Sequence, residues 1–291
     1  MAWREEYWKS IKSFDTEEKL DLYFYRPFGF LIAKAAWAVN ATPTQLTLVG
    51  LALGIASGFF FFQNDSATHL LVASVLFVMA GVFDSSDGQL ARMGGKSTKL
   101  GLVLDGLCDN LVFASAYIGS TLTLVPEWGG WIWPIAFVAG ACHSLQSSML
   151  DYYNREYLYF GYGKSKGDYW NPTLAEAMSE RDRAAGQDRL FWKLRFSWIW
   201  QQNKLSSRTD GTRHRWRALL ESARSAEFQE LYRSHNRLIL RWWRLMGPNF
   251  HTILILVFVF LRRFDLYLIV ADILLLTLAL LALRAWQAKV D

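Results

Sequence analysis

Apolar residues in this chain come in long uninterrupted blocks and not in the short periodic patterns of a soluble core. Leu51 to Phe62 carries one polar residue, Ser57; Leu70 to Phe83 carries only Ser74; Phe250 to Leu261 carries only His251 and Thr252. Runs of this kind read as membrane-spanning segments. Pro43 opens the first predicted span, about 44–62, and two more follow at about 68–92 and 98–124, joined by the short basic turn 93–97 (MGGKS). The loop PEWGGW leads into a fourth at about 131–157, and two apolar stretches, about 249–262 and 265–286, close the chain. The fifth is short and is expected to begin nearer Trp242.

Between the fourth and fifth spans lies a polar insert, 158–246. Its segments 191–200 (FWKLRFSWIW) and 213–246 interleave Trp and Leu with arginines and look helical. They suit either the headgroup region of a bilayer or a solvated helical subdomain. Residues 16–40 are too charged to span, and with Arg26 and Lys34 on an otherwise apolar stretch they predict an amphipathic helix lying along the interface. The fold expected is therefore an all-α polytopic membrane protein. It comprises a juxtamembrane segment (1–42), four spans (43–157), a cytoplasmic basic insert (158–246) and two further spans (247–291). Gly50, Gly54 and Gly58 form a small-residue stripe on the first span, fit for a close helix contact within the chain or across a dimer.

Charge sets the orientation. Residues 155–246 carry 18 Lys+Arg against 10 Asp+Glu, whereas 43–154 carry 3 against 7. The basic insert and the basic loop at 93–99 belong on the cytoplasmic side, with both termini; Arg262 and Arg263 on the other side are outweighed. No nucleic-acid motif accompanies the basic charge, so nucleic acid is not an expected partner. Residues 1–24 lack an apolar h-region, which predicts no cleavable signal peptide. Cys108 and Cys142 lie in apolar helices and indicate no disulfide framework.

Against this background the stretch 84–109, DSSDGQLARMGGKSTKLGLVLDGLCD, is anomalous. An aspartate at a helix centre in a bilayer costs about 2.5–3.5 kcal/mol on insertion scales, and four occur here. Asp84 and Asp87 (i, i+3) share a face of one helix; Asp105 and Asp109 (i, i+4) share a face of the next. An antiparallel pair of helices brings the two faces together near the cytoplasmic ends. Carboxylates so close must either stay partly protonated or be held by cations. Oxygen-only ligands select hard divalent ions, Mg²⁺ or Mn²⁺, and two such ions sharing carboxylates are an arrangement used for phosphoryl displacement. Gly88, Ala91 and Gly101 leave room for a ligand against the backbone. Arg92 supplies a planar cation suited to phosphate, with Lys96 and Lys99 at the mouth.

The spacing D-x2-D-G-x2-A-R-x8-G-x3-D-x3-D, together with the six-span layout and the start Pro43-Thr44-Gln45-Leu46-Thr47, resembles the class I CDP-alcohol phosphotransferases (CDP-alcohol phosphatidyltransferases). In the family's P-N-x-x-T start the Asn is replaced here by Thr44, and the insert has no counterpart in the family's shorter members. The resemblance implies a homodimeric enzyme of the inner or plasma membrane whose site opens to the cytoplasm, with two Mg²⁺ or Mn²⁺ ions. Asp84, Asp87, Asp105 and Asp109 would hold metal, Asp109 would also be the general base, and Thr47, Gly88, Ala91, Arg92 and Gly101 would line the CDP site. A polar stripe on the fourth span, His143, Gln146, Ser147, Asp151, Asn154 and Arg155, is the candidate acceptor pocket, with Lys164 and Lys166 as further phosphate contacts. Two directions of chemistry fit. CDP-diacylglycerol could donate to a polar alcohol such as inositol or its phosphate, the favoured reading; or a soluble CDP-alcohol could donate its headgroup to a lipid hydroxyl. A cation or proton transporter is the rival from another class, and Asp272, alone in the last span, is given no role.

Overall fold

The computed structural model describes residues 2–11, 13–94, 99–163, 171–183 and 189–291, and among them all regular structure is helical. Helix α1 (Ala2–Ser10) is followed by a π-helical turn, Asp21–Tyr25, that runs into α2 (Arg26–Ala38). Then come α3 (Pro43–Phe62), α4 (Ala67–Gly94), α5 (Lys99–Leu122), the single turn α6 (Val125–Trp128) and α7 (Ile132–Tyr162). The insert contributes α8 (Leu174–Arg183), α9 (Arg189–Leu205), α10 (Asp210–Leu220) and α11 (Ser225–Trp243). The chain closes with α12 (Pro248–Phe260), α13 (Phe264–Leu266), a π-helical stretch Tyr267–Leu276 and α14 (Thr277–Val290). Among the described residues four stretches are long and apolar enough to cross a membrane: 43–62, 67–94, 225–260 and 264–290. Their most apolar windows are only 33–39% buried, so most of that surface faces outward, as lipid-contacting helices require. Residues 95–98, among them Lys96, and Lys164 and Lys166 lie outside the described residues.

Helix–helix contacts divide the chain into two units, residues 1–141 with 252–271 and residues 142–251 with 272–291. In the first, α3 packs along both α4 and α5, which otherwise touch each other at few points. This differs from a simple α4–α5 hairpin, and the reason lies in the glycine stripe. A Cβ at Gly50 would stand 3.3 Å from the Ala80 carbonyl oxygen and from Phe83 Cβ on α4. One at Gly54 would stand 2.5 Å from Val112 Cγ2 on α5, and one at Gly58 would collide with Ser115 on α5. The stripe is therefore used for close approach inside the chain. Gly54→Leu is expected to overpack this contact, at a cost of about 1–3 kcal/mol; thermal unfolding in detergent measures it.

The start of α3 is written in TPTQ. The Thr42 hydroxyl accepts from the Gln45 amide (3.3 Å), Gln45 Oε1 accepts from the Thr42 amide (2.8 Å), and Pro43 occupies the first turn. This reciprocal cap fixes the register that places Thr47 one turn further in. Upstream, α1 docks on α2 through Trp3 and Tyr7, whose rings meet buried Phe30 edge-on at 5.2 and 5.4 Å, and through the Lys34–Glu6 ion pair. Of the stretch 16–40 expected to be helical, residues 21–25 are π-helical and 26–38 α-helical. Helix α2 packs against α4: a Cβ at Gly29 would meet Gln89 Oε1 at 2.7 Å and Ser85 Oγ at 3.0 Å.

In the second unit the insert has a core of its own. Helix α7 runs five residues beyond the expected end at 157, and Leu158 and Phe160 on this extension are fully buried, with Phe160 against Trp216 and Tyr232. Around them lies a buried ionic network. Arg208 donates to Glu156 (3.0 Å), to both oxygens of Asp291 (3.1 Å each) and to Asn236 (3.2 Å), and its guanidinium lies 4.9–5.5 Å from the rings of Tyr153, Trp216 and Tyr232. Burial penalises the Arg208 cation, but facing Tyr232, Asp291 and Glu156 more than offset this and hold its pKa well above the ordinary arginine value. Arg213 reaches Glu156 (3.3 Å) and the Asn171 carbonyl.

The segment 213–246 is not one helix but two. The Ser222 hydroxyl donates to the Leu219 carbonyl (2.7 Å) and accepts from the Arg224 amide (3.2 Å), diverting the backbone from the helical pattern between α10 and α11.

Candidate active site

The signature acids come together as their spacing requires. Asp84, Asp87 and Asp105 each offer a carboxylate oxygen, and these oxygens lie within 4.8 Å of one another. Asp84 is also hydrogen-bonded to Asp109, so all four acids join in one cluster. Asp87 is buried, whereas Asp109 keeps accessible surface. Negative charge at this density must be balanced by shared protons or by cations. Three carboxylates from two helices make an all-oxygen donor set that fits a hard divalent cation better than a soft one.

Thr47 comes to this cluster from α3: its hydroxyl is 2.5 Å from Asp87 Oδ2 and 3.1 Å from the Pro43 carbonyl. A hydroxyl has one proton, so the short contact to Asp87 is the natural donation and the Pro43 contact is secondary. Gly88 lies beneath Arg92; a Cβ there would stand 3.3 and 3.6 Å from the two Nη nitrogens. Ala91 is half-buried on the same turn. Gly101 belongs to α5, but its surroundings lie outside the described residues.

Several neighbours of the site are not evident from the signature alone. Arg26 grips Glu17 with two bonds of 2.9 Å and reaches Ser85 Oγ at 3.3 Å, which places its charge beside Asp84. Gln89 Nε2 donates to Ser10 Oγ (3.0 Å), and Arg92 Nε donates to the Ser10 carbonyl (2.5 Å). The signal was present: Ser85, Gln89 and Arg92 fall at i, i+4 and i+7, a second polar stripe on an apolar helix. That stripe faces the chain's own N-terminal segment.

The fourth-span stripe lies in the second unit. His143 is buried and stacks on His251, ring centroids 3.7 Å apart. Gln146 Nε2 donates to the Asp272 carbonyl (3.3 Å) and approaches Thr277 Oγ1 (3.4 Å), and Ser147 donates to the Met246 carbonyl (3.3 Å). Arg155 pairs with Asp151 (2.9 Å), whose other oxygen accepts from Gln202 (3.4 Å). Asn154 is half-buried. Asp272 is fully buried within the π-helical stretch.

Residues 40–167, which contain every signature position, match the family model described as CDP-alcohol phosphatidyltransferase. This segment is similar to the CDP-alcohol phosphatidyltransferases. The chain is 32% identical over 152 residues to a phosphatidylinositol phosphate synthase of Corynebacterium glutamicum, covering 52% of this chain and 62% of that one. It is 32% identical over 98 residues to an archaetidylinositol phosphate synthase of Pyrococcus horikoshii, covering 33% and 50%. A bifunctional IPC transferase and DIPP synthase of Thermococcus kodakarensis is 33% identical over 76 residues, 26% of this chain and 16% of that one. The chain thus spans less than two thirds of the length of these curated relatives. No solved structure matches it. The insert beyond residue 167, and the N-terminal residues that hold Ser85, Gln89 and Arg92, lie outside the phosphatidyltransferase domain as matched.

Proposed function

We propose that the chain transfers a phosphatidyl group from CDP-diacylglycerol to a small polar alcohol, inositol phosphate or inositol, with release of CMP. The observation that carries this is the convergence of Asp84, Asp87, Asp105 and Asp109 from α4 and α5 within a segment matching the CDP-alcohol phosphatidyltransferases. The printed names of the relatives, synthases of inositol-phosphate lipids, favour a phosphorylated polyol as acceptor. The rival transporter reading leaves Gly88 and Arg92 without a use.

Asp84, Asp87 and Asp105 hold divalent cation, with Asp109 completing the set. When bound, two Mg²⁺ or Mn²⁺ ions supply charge neutralisation for the pyrophosphate and the leaving group. Asp109 takes the proton of the acceptor hydroxyl, whose oxygen bonds to the β-phosphorus while the bond from that phosphorus to the bridging oxygen breaks, the oxygen keeping the electron pair and leaving as part of CMP. Arg92, over Gly88, binds a phosphate of the donor, and Thr47 fixes the rotamer of Asp87. In this reading the chain spans the membrane six times, α2 lies along the interface, the site opens to the cytoplasm, and the protein is a homodimer. His143, Gln146, Asp151 and Arg155 belong to the acceptor side.

Purified protein given CDP-diacylglycerol and a panel of acceptors, with product lipids identified by mass spectrometry, is expected to release CMP only when Mg²⁺ or Mn²⁺ is present. EDTA should abolish release. Lipid formed solely from a soluble CDP-alcohol and diacylglycerol would overturn the direction of transfer.

A further inference from the structure

We propose that Ser10, the last residue of α1, is a positioning residue that sets Arg92 for the donor phosphate; this rests on the phosphotransferase reading above. Ser10 is 1% exposed, so its polar groups must be satisfied by protein. Its hydroxyl donates to the Tyr7 carbonyl (2.7 Å) and accepts from Gln89 Nε2 (3.0 Å). The Gln89 bond ties the end of α1 to α4 within the signature stretch, one turn before Arg92. Its carbonyl then receives Arg92 Nε at 2.5 Å.

The contact suits both partners electrostatically. The last carbonyls of a helix have no intrahelical donor and carry the negative end of the macrodipole, so a guanidinium is favoured there. Anchoring through Nε also selects which edge of the guanidinium meets Ser10. Nη1 and Nη2 lie over Gly88, whose missing side chain keeps that space open. The Nη pair is the edge that grips a phosphate bidentately. Helix α1 is in turn held by Trp3 and Tyr7 on Phe30 and by Glu6 on Lys34. The N-terminal segment therefore fixes the orientation of a signature side chain without entering the site. Ser10 lies outside the residues matched to the family, so the device belongs to this chain's own N-terminal segment.

The test uses the full chain purified in detergent with Mg²⁺, titrated calorimetrically with CDP, a readout independent of turnover. Ser10→Ala and Gln89→Ala each remove the side-chain bond that holds the end of α1 in place on α4, leaving the Arg92–Ser10 carbonyl contact unsupported, and should weaken CDP binding about fivefold. Both remove the same bond, so the double variant should bind no more weakly than either alone. CDP affinity within twofold of the unchanged chain in Ser10→Ala, or losses that multiply in the double variant, would overturn the proposal. Absence of CDP binding by the unchanged chain would overturn the phosphotransferase reading beneath it, a distinct result.

Discussion

Replacing Asp109 with asparagine is expected to lower turnover by about 10²- to 10⁴-fold, the range supplied by a positioned general base. CDP-donor binding should survive. The substitution keeps the volume and one acceptor oxygen, so the hydrogen bond with Asp84 can persist through the amide. What is lost is the capacity to receive a proton. Of the four acids, Asp87 is buried and bonded to Thr47, and Asp105 is half-buried and bonded to Asp84. Asp109 retains accessible surface, which an acceptor hydroxyl needs. Steady-state CMP release, run beside CDP titration, separates chemistry from binding; turnover at the unchanged rate in Asp109→Asn would sink the base assignment.

Arg208→Met should have the largest effect on stability, about 3–5 kcal/mol, because it strands buried acids without their cation. Glu156 and Arg208 have side chains only 2% and 1% exposed, and Asp291 only 8%. In a region of this size such a loss lowers the melting temperature by roughly 6–20 °C. Adding Glu156→Gln and Asp291→Asn to Arg208→Met should recover part of the loss, since the uncompensated charges are then gone. A single Arg208→Met variant melting with the unchanged chain would show that the network contributes no net stability.

The site was the most legible part of the sequence. Four acids in an apolar setting are costly enough that only a shared purpose explains them, and helical spacing alone puts Asp84 with Asp87 and Asp105 with Asp109. Less legible was what surrounds them. Ser85, Gln89 and Arg92 make a polar stripe as regular as that of the acids. Their partners Ser10 and Arg26 lie 59 to 82 residues away in sequence, and nothing local announces such contacts. The break between α10 and α11 turned on one serine whose hydroxyl chose a carbonyl three residues back, a competition that periodicity does not register. In the insert, arginines interleaved with aromatics suggested a surface. The structure puts Arg208 and Arg213 inside, where Glu156 and the rings of Tyr153, Trp216 and Tyr232 surround them. Composition does not distinguish a cation that faces phosphate from one that faces a buried carboxylate.

The placement of α3 along both α4 and α5 bears on how the acids keep their distance. Gly50 packs against the turn of α4 that ends at Asp84, a Cβ there standing 3.8 Å from the Asp84 amide nitrogen, and Gly54 and Gly58 lie farther along α3, against Val112 and Ser115. The gap between the two acid-bearing helices is therefore gauged by residues in the apolar interior, none of which touches a charged group. Methyl groups added along that seam would act as shims, prising apart carboxylates up to two turns away. Loss of function by substitution in this protein can consequently arise along an apolar helix seam, at positions with no chemistry of their own.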